Sequence, residues 1–404
     1  MLTLDAFTPQ AEVYETYAAW QDAGPVHRSD AFAGGAWLLP RYDDVAQALK
    51  DPRLSARRTG GWVNQAAADG GAGALAPFQR LFARALLFLD VPEHSRLRQI
   101  LAPGFRPAAW QALTAQVTAD VEAALDQLPP GAPFDFMEHI AKPIPARVVA
   151  RLMGLENVSG DFVTWSDDIA AFLGHPAPNL ALGQRAQRSA LALAAMFHRV
   201  LTERRRSPCA APADWTALLL EAERQGQVHS LEELLAQCVM LLFAGHETTR
   251  HLLGNGLHAL LCQPGAWAQL QQAPEQLPSA VREMLRYDSP VQFSGRRVAE
   301  TFTLHGQVLT RGDLVIPLIG AANRDPRVYS EPHRLRLDRK EAAHLSFGTG
   351  PHVCIGAALT YLEAQAVFAT LLRRWPTPPH MATAPQRGTN PLYRGFEHLM
   401  LTLT

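Results

Sequence analysis

The residues of this sequence best suited to chemistry lie in a glycine-rich loop that ends in one cysteine. Residues 347–356 read Phe-Gly-Thr-Gly-Pro-His-Val-Cys-Ile-Gly, and a strong helical pattern follows immediately. Amide groups near a helix N-terminus stabilise a thiolate at Cys354, and Gly348 and Gly350 allow tight turns close to a flat partner. A phosphate-binding P-loop is excluded because no Gly-Lys-Ser/Thr follows. A buried free cysteine beside a turn is the alternative that the loop alone leaves open.

A second motif, Ala-Gly-His-Glu-Thr-Thr, occupies residues 244–249 in the middle of a long apolar run. His246 and Glu247 could begin the zinc-protease motif HExxH, in which two histidines four residues apart share one helix face. Position 250 is Arg, however, and His251 stands five residues after His246, on a different face. The zinc site is therefore excluded. The glycine and threonines of the motif can loosen the helix locally, because a Thr hydroxyl competes for backbone hydrogen bonds.

The two motifs together resemble those of the cytochrome P450 family, in its soluble bacterial type, and the resemblance extends over essentially the whole chain. It implies a mainly α fold with a minor β part, in which a long central helix lies over haem b. Cys354 is then the axial thiolate ligand of the haem iron, the role this family gives its cysteine. Glu247 and Thr248 match the acid–alcohol pair that delivers protons during O2 activation. The implied activity is insertion of one oxygen atom from O2 into a C–H bond.

The same resemblance implies electron donors. The sequence contains no flavin or iron–sulfur segment, so we expect one catalytic domain over residues 1–404, without a fused reductase. Electrons then come from a separate ferredoxin and ferredoxin reductase, and Arg106 is a candidate docking contact. A peroxide-driven, coupling or desaturating enzyme with the same cofactor is the alternative, and the acid–alcohol pair argues against it. A haem-binding sensor is a further alternative, which would need no turnover.

The spacing Glu283-Met-Leu-Arg286 places an acid and a base three residues apart on one helix face. On a surface such a pair contributes only about 0.2–0.5 kcal/mol. In this position it resembles the family's ExxR ion pair, which supports the segment under the haem. The resemblance assigns its third partner to Arg334, although Leu335 stands where the family often has Phe.

Haem carries two propionates, and a buried site needs hydrogen-bond donors for both anions. His94 and Arg98 lie four residues apart, on one face of a predicted helix. His352 lies two residues before the cysteine. Arg296 and Arg297 would face opposite ways in a strand, and we favour Arg297 because Arg-Val-Ala matches the family pattern.

Apolar side chains that match substrate contacts of the family are the candidate pocket. They are Met240, Ala244, Val291, Phe293 and Leu392. Gln292 and Ser294 are nearby groups that could form hydrogen bonds, and segments 56–88 and 170–182 would cover the pocket. These types predict a largely apolar small molecule, such as a terpenoid, macrolide, aromatic or fatty-acid-derived secondary metabolite. Ordinary core packing is the alternative for each side chain.

Hydrophobic periodicity predicts the elements that position these residues. Helices are predicted at 42–50, 93–102, 108–128, 144–153, 185–205, 231–262, 279–287 and 356–373. Strands are predicted at 37–39, 291–299, 301–304 and 314–318, and a Gly/Ala-rich loop at 56–77. Ser230 and Glu233 form a capping-box pattern at the start of the longest helix.

Composition sets the remaining bounds. The 404 residues are 48% hydrophobic and 19% charged, as in globular proteins. A net charge of −1 gives no reason to expect nucleic acid or an anionic membrane as partner. The cysteines at 209, 238, 262 and 354 contain no CxxC pair, which argues against a disulfide framework or Cys-rich zinc site. No signal-peptide pattern or membrane-spanning apolar window is present, so a cytoplasmic protein is expected.

Overall fold

The computed structural model describes residues 13–32, 34–71, 73–106, 110, 112–155, 161–206 and 214–403. The α-helices of these residues are α1 Val13–Ala23, α2 Tyr42–Ala48, α3 Thr59–Ala66, α4 Ala76–Phe82, α5 Glu93–Leu101, α6 Leu113–Asp126, α7 Pro143–Leu152, α8 Asp161–Gly174, α9 Leu180–Arg206, α10 Trp215–Arg224, α11 Leu231–Cys262, α12 Ala266–Gln272, α13 Leu277–Tyr287, α14 Ile319–Ala322 and α15 Ala357–Arg374. The strands are β1 His27–Ser29, β2 Ala36–Leu39, β3 Leu54–Ser55, β4 Phe134–Asp135, β5 Arg296–Val298, β6 Phe302–Leu304, β7 Gln307–Leu309, β8 Leu314–Pro317, β9 His380–Met381, β10 Gln386–Arg387, β11 Phe396–His398 and β12 Met400–Thr402. The fold is mainly α with a minor β part, as predicted.

Helix α11 is the long central helix that the sequence predicts, and it spans 32 residues. Its capping box is formed, because the Ser230 hydroxyl accepts a hydrogen bond from the Glu233 amide at 3.1 Å. The Glu233 carboxylate in turn accepts one from the His229 amide at 2.7 Å. The helix packs against α7, α9, α13 and α15, so most of its circumference is buried. The main hydrophobic core therefore surrounds α11.

A five-stranded sheet with the order β1-β2-β8-β5-β3 forms most of the β part. Strands β2 and β8 are parallel, and the other neighbours are antiparallel. The strand predicted at 291–299 is shorter than expected, since only β5 joins this sheet. Residues before β5 instead bind the turn around Leu392, which we call the C-terminal turn. The Gln292 amide donates to the Leu392 carbonyl at 2.9 Å, and Val291 forms a bridge with Tyr393.

The loop predicted at 56–77 is partly helical. Helix α3 occupies its first half, and Val63 and Ala66 are buried where α3 packs against α4. Burial of this apolar face therefore outweighs the low helix propensity of glycine. Gly61 lies in α3 at a point where a Cβ would be only 2.2 Å from the Arg297 guanidinium, so glycine allows that close approach.

None of the described helices combines the length and the apolar character that crossing a membrane requires.

Candidate active site

A cavity of about 380 Å³ lies between α11 and the cysteine loop, residues 347–356. Its walls come from α5, α11, the segment before β5 and the C-terminal turn. The five predicted substrate residues all line it: Met240, Ala244, Val291, Phe293 and Leu392. Cys354 lines the same cavity. The size is typical of a site that encloses a small organic ligand.

The cysteine loop is held by its own backbone. The Cys354 amide donates to the Phe347 carbonyl at 2.8 Å, and the loop turns at Gly348 and Gly350, which have φ values of 67° and 75°. Burial raises the pKa of the Cys354 thiol, and the Gly356 amide and Arg98 oppose this effect. Metal ligation therefore has to displace a proton from this sulfur, as is usual for cysteine ligands. Cys238, Cys262 and Cys354 are free thiols, and Cys209 lies outside the described residues.

Cationic and imidazole groups gather on the cavity wall near the cysteine. The His94 and His352 rings lie 4.0 Å apart, and both line the cavity with Arg98 and Arg296. Burial, together with the neighbouring His94, Arg296 and Arg58, lowers the pKa of His352 to about 3. Burial also lowers the pKa of Arg98, while Cys354 acts in the opposite direction.

These donors fit the anionic edge of a haem. Among the described residues, neither Arg98 nor Arg296 forms an ion pair with a carboxylate. Buried guanidinium groups without a counter-ion are costly, and two propionates would neutralise them. A thiol on the cavity wall and unpaired cations beside it are the donor set that haem b needs. The residues present therefore fit the cofactor.

The structure corrects the choice between Arg296 and Arg297. Arg296 is buried, and its Nη1 donates to the Ser294 hydroxyl at 2.7 Å and to the Gly295 carbonyl. Arg297 also borders the cavity, but its Nη1 donates to the Gly312 carbonyl at 2.9 Å. Because adjacent residues of a strand point to opposite sides, Arg296 lies close enough to His352 to affect its pKa, and Arg297 does not. We therefore propose Arg296, in place of Arg297, as the residue that binds a propionate.

The ExxR pair is formed, but its third partner differs from the prediction. Arg286 binds Glu283 through Nε and Nη2 at 2.7 and 2.8 Å, and both residues are buried. Arg339, rather than Arg334, completes the group, since its Nε lies 3.0 Å from both Glu283 carboxylate oxygens. Arg334 supplies only its carbonyl to Arg286, and its side chain pairs with Glu331 at the surface. Several arginines follow one another in this segment, and nothing in the sequence distinguishes them.

Glu247 belongs to a charged network behind the cavity. Its Oε1 accepts hydrogen bonds from Arg250 at 2.7 Å and His251 at 3.3 Å, whereas its buried Oε2 has no partner among the described residues. Arg250 also binds Asp167 of α8, whose side chain is 46% exposed. Burial raises the pKa of Glu247, but Arg250 and the neighbouring histidines outweigh it and lower the pKa to about 2. The network thus joins solvent to the cavity wall.

Thr248 is half-buried and lines the cavity beside Gly245 and Ala244. The helix is continuous here, so the expected local loosening is not seen. Gly245 instead lets α7 approach closely, because a Cβ would be 2.5 Å from Val149. No group of three or more His, Cys, Asp or Glu side chains that could hold a metal ion occurs in the described part of the chain.

Of the two polar residues that were candidates for the pocket, Ser294 and Gln292, only Ser294 is among the lining residues. Ser294 lines the cavity and accepts the hydrogen bond from Arg296. Gln292 is buried away from it, where its Nε2 donates to the Ser289 carbonyl at 2.7 Å. Gln292 was expected as a nearby hydrogen-bonding group, but it is not among the residues that line the cavity. Arg250 was not predicted as a partner of Glu247, although a spacing of three residues on one helix can indicate such a pair.

Comparisons with known proteins agree with this site. Residues 78–392 match the family model described as Cytochrome P450. Cytochrome P450 107B1 of Saccharopolyspora erythraea is 35% identical over 378 residues, which cover 92% of this chain and 89% of that protein. The polyketide biosynthesis cytochrome P450 PksS of Bacillus subtilis is 33% identical, covering 97% of this chain and 96% of the relative. The crystal structure of CalO2 matches with a TM-score of 0.89 and 31% identity, covering 100% of this chain and 99% of that one.

Most of the chain thus shares both its sequence and its architecture with enzymes of one family. The relatives include proteins named as monooxygenases and hydroxylases. The chain therefore belongs to the cytochrome P450 family, and it is a monooxygenase that binds haem through a cysteine thiolate, takes electrons from redox partners and oxidises a small organic molecule.

Proposed function

We propose that this enzyme inserts oxygen into a C–H bond of a largely apolar secondary metabolite, with Cys354 as the ligand of the haem iron. The observation that carries the proposal is the position of Cys354 on the wall of a cavity that Ala244 and Thr248 of α11 also line. The haem supplies the activation of O2 when it is bound. The name of PksS, which refers to polyketide biosynthesis, supports a secondary metabolite as the substrate class.

The residues of the cavity have distinct roles in this proposal. His94, Arg98, Arg296 and His352 bind the two propionates through charge-assisted hydrogen bonds. The hydroxyl of Thr248 lies on the cavity wall, where it can donate a proton. Glu247 exchanges protons with solvent through its network with Arg250 and Asp167. The apolar side chains at 240, 244, 291, 293 and 392 orient the substrate and exclude water.

A carbon monoxide spectrum tests the iron ligand. The reduced protein with carbon monoxide should show the strongly red-shifted absorption of thiolate ligation, and Cys354→Ser should lose it. Cys262→Ser is the matched control, because Cys262 is an exposed free thiol at the end of α11. An imidazole-type spectrum in the wild type, or an unchanged spectrum in Cys354→Ser, would refute the assignment.

We also propose that residues 1–404 act as one catalytic unit in the cytoplasm and receive electrons from a ferredoxin and its reductase. Arg106 is exposed and follows Phe105, whose ring is 3.8 Å from a Cβ placed at Gly356. This position puts a positive charge on the side of the molecule where the cysteine loop lies. Turnover with a surrogate ferredoxin, its reductase and NADH should exceed turnover with hydrogen peroxide. Product formed with peroxide alone would favour the peroxide-driven alternative.

A further inference from the structure

Arg58 is a third arginine on the cavity wall, beside Arg98 and Arg296. It belongs to the segment between β3 and α3. Its side chain is half-buried, and the cavity is where it is accessible. None of the roles described above uses this residue.

The guanidinium of Arg58 is held in place, but only one of its N–H groups has a hydrogen-bond acceptor among the described residues. Its Nη1 donates to the Ala56 carbonyl at 3.3 Å, and its Cζ lies 4.6 Å from the centre of the Phe88 ring. The side-chain stem packs on Gly295, where a Cβ would be 2.9 Å from its Cδ. A guanidinium has five N–H donors, so most of those of Arg58 are available to a ligand.

No carboxylate of the described residues pairs with Arg58. The nearest electrostatic partner of that type is Asp90, whose oxygens already accept hydrogen bonds from the Ser55 hydroxyl and the Ala56 amide. Burial, with a smaller contribution from Arg296, lowers the pKa of Arg58 to about 9. By contrast, the buried Arg286 and Arg250 each have a carboxylate partner. An unpaired buried charge is costly, and therefore a bound anion would stabilise it.

The charge balance leaves Arg58 for the substrate. Haem b carries two propionates, whereas three arginines, Arg58, Arg98 and Arg296, line the cavity with the His94 and His352 pair, so that one arginine is left over. Arg58 acts on His352 electrostatically, as Arg296 does, but it also contacts Phe88 and Gly295 and interacts electrostatically with Tyr393 of the C-terminal turn. Those residues line the cavity together with the predicted substrate contacts.

We propose that Arg58 binds a carboxylate of the substrate, so that the natural substrate is an acid with a largely apolar body. This inference rests on the proposed function, because it assigns the substrate class of the same cavity. A guanidinium that packs on the Phe88 ring still has N–H groups that can form two parallel hydrogen bonds to a carboxylate.

Equilibrium dialysis of the haem-loaded protein tests the proposal without turnover. The probes are dodecanoic, 3-phenylpropanoic and 1-adamantanecarboxylic acid, each beside its methyl ester. The wild type should bind at least one acid about tenfold more tightly than its ester, as expected for hydrogen bonds to a charged group. Arg58→Gln should lose that preference while its affinity for the ester stays the same. Arg58→Lys should retain part of the preference.

Arg57→Gln is the matched control, because Arg57 is the exposed neighbour and pairs with Glu93 at the surface. It should behave as the wild type. No preference for any acid in the wild type, or an unchanged preference in Arg58→Gln, would overturn the proposal. A fall in the haem-to-protein ratio of Arg58→Gln would also overturn it, since Arg58 would then be a propionate ligand. Failure of the monooxygenase assignment is separate, because it would appear in the carbon monoxide spectrum of the wild type.

Discussion

At the scale of single residues, a sequence pattern could not decide which of the adjacent Arg296 and Arg297 lies near His352. The two arginines are adjacent in β5, and the Arg-Val-Ala pattern of the family begins at Arg297, one residue after Arg296. The side to which each points depends on the pairing of Arg296 with Val315 and of Arg297 with Leu314. That register is a tertiary property, because a shift of one residue exchanges the two faces of a strand.

Arg296→Gln should weaken haem retention, because it removes a charged donor from a propionate. Such a hydrogen bond contributes about 1.5–3 kcal/mol, which corresponds to roughly ten- to a hundredfold faster haem loss. The haem-to-protein ratio after gel filtration, with transfer of haem to apomyoglobin over time, measures the effect. Arg297→Gln should retain haem like the wild type. Equal loss in both variants would contradict the assignment.

Arg339 offers a similar test for the buried ion pair. Arg339→Met should lower the free energy of unfolding by about 3 kcal/mol, because one partner of a buried charge group is removed. Arg334→Met should leave the urea midpoint almost unchanged, since its side chain is 63% exposed and pairs at the surface. Urea denaturation at equal haem content compares the variants. A larger loss in Arg334→Met would restore the original prediction.

At the scale of elements, the sequence was most informative about helices and the cysteine loop. Helix α11 could be predicted because Ser230, Glu233 and the apolar run before Pro264 define both of its ends. The capping and periodicity signals are local, and therefore they can be recognised in a single sequence. Helix α3 could not be predicted, because burial against α4 stabilises it. The Arg250–Asp167 contact joins α11 to α8 and likewise leaves no local pattern.

The network on α11 predicts a flat pH response. Because the folded-state pKa of Glu247 is about 2, below the ordinary 4.5, this group is ionised throughout neutral pH. Its stabilising contribution is present above about pH 4.5 and is lost as the pH falls toward 2. In Arg250→Met, burial should dominate and raise the pKa of Glu247. The amount of product formed per NADH consumed should then fall as the pH is lowered from 8 to 6, because Glu247 becomes protonated in this range.

Arg250→Lys is the control for this network, because it keeps a positive charge beside Glu247. We expect its pH profile of product per NADH to stay flat between pH 6 and 8. An equally flat profile in Arg250→Met would show that Arg250 does not set the ionisation of Glu247.

At the scale of the whole molecule, near-neutral charge bears on how the enzyme meets its electron donor. A net charge of −1 gives no strong long-range attraction, so we expect docking to depend on local charges, among which we propose Arg106. Arg106→Glu should lower the rate of electron transfer from an acidic ferredoxin, and the difference from the wild type should shrink as salt is added. Stopped-flow reduction measures this. Peroxide-supported turnover should be unchanged, and a parallel loss there would point to damage inside the site.

The overall architecture followed from the sequence through the resemblance to a known family, whereas the side chains that complete the site did not. The cysteine loop, the acid and alcohol on α11 and the ExxR pair are close in sequence and could be read directly. Arg339, Arg296 and Arg58 reach their positions through turns and strand register. Their assignment therefore required coordinates.

The backbone contacts between the segment before β5 and the C-terminal turn have a consequence for how this pocket can change. The Gln292 amide binds the Leu392 carbonyl, and the Arg394 amide binds the Pro290 carbonyl, both at 2.9 Å. Main-chain bonds of this kind do not depend on which side chains project from them. New substrate preferences can thus arise by exchanging Val291, Phe293 or Leu392 one at a time, while the scaffold that carries them keeps its shape.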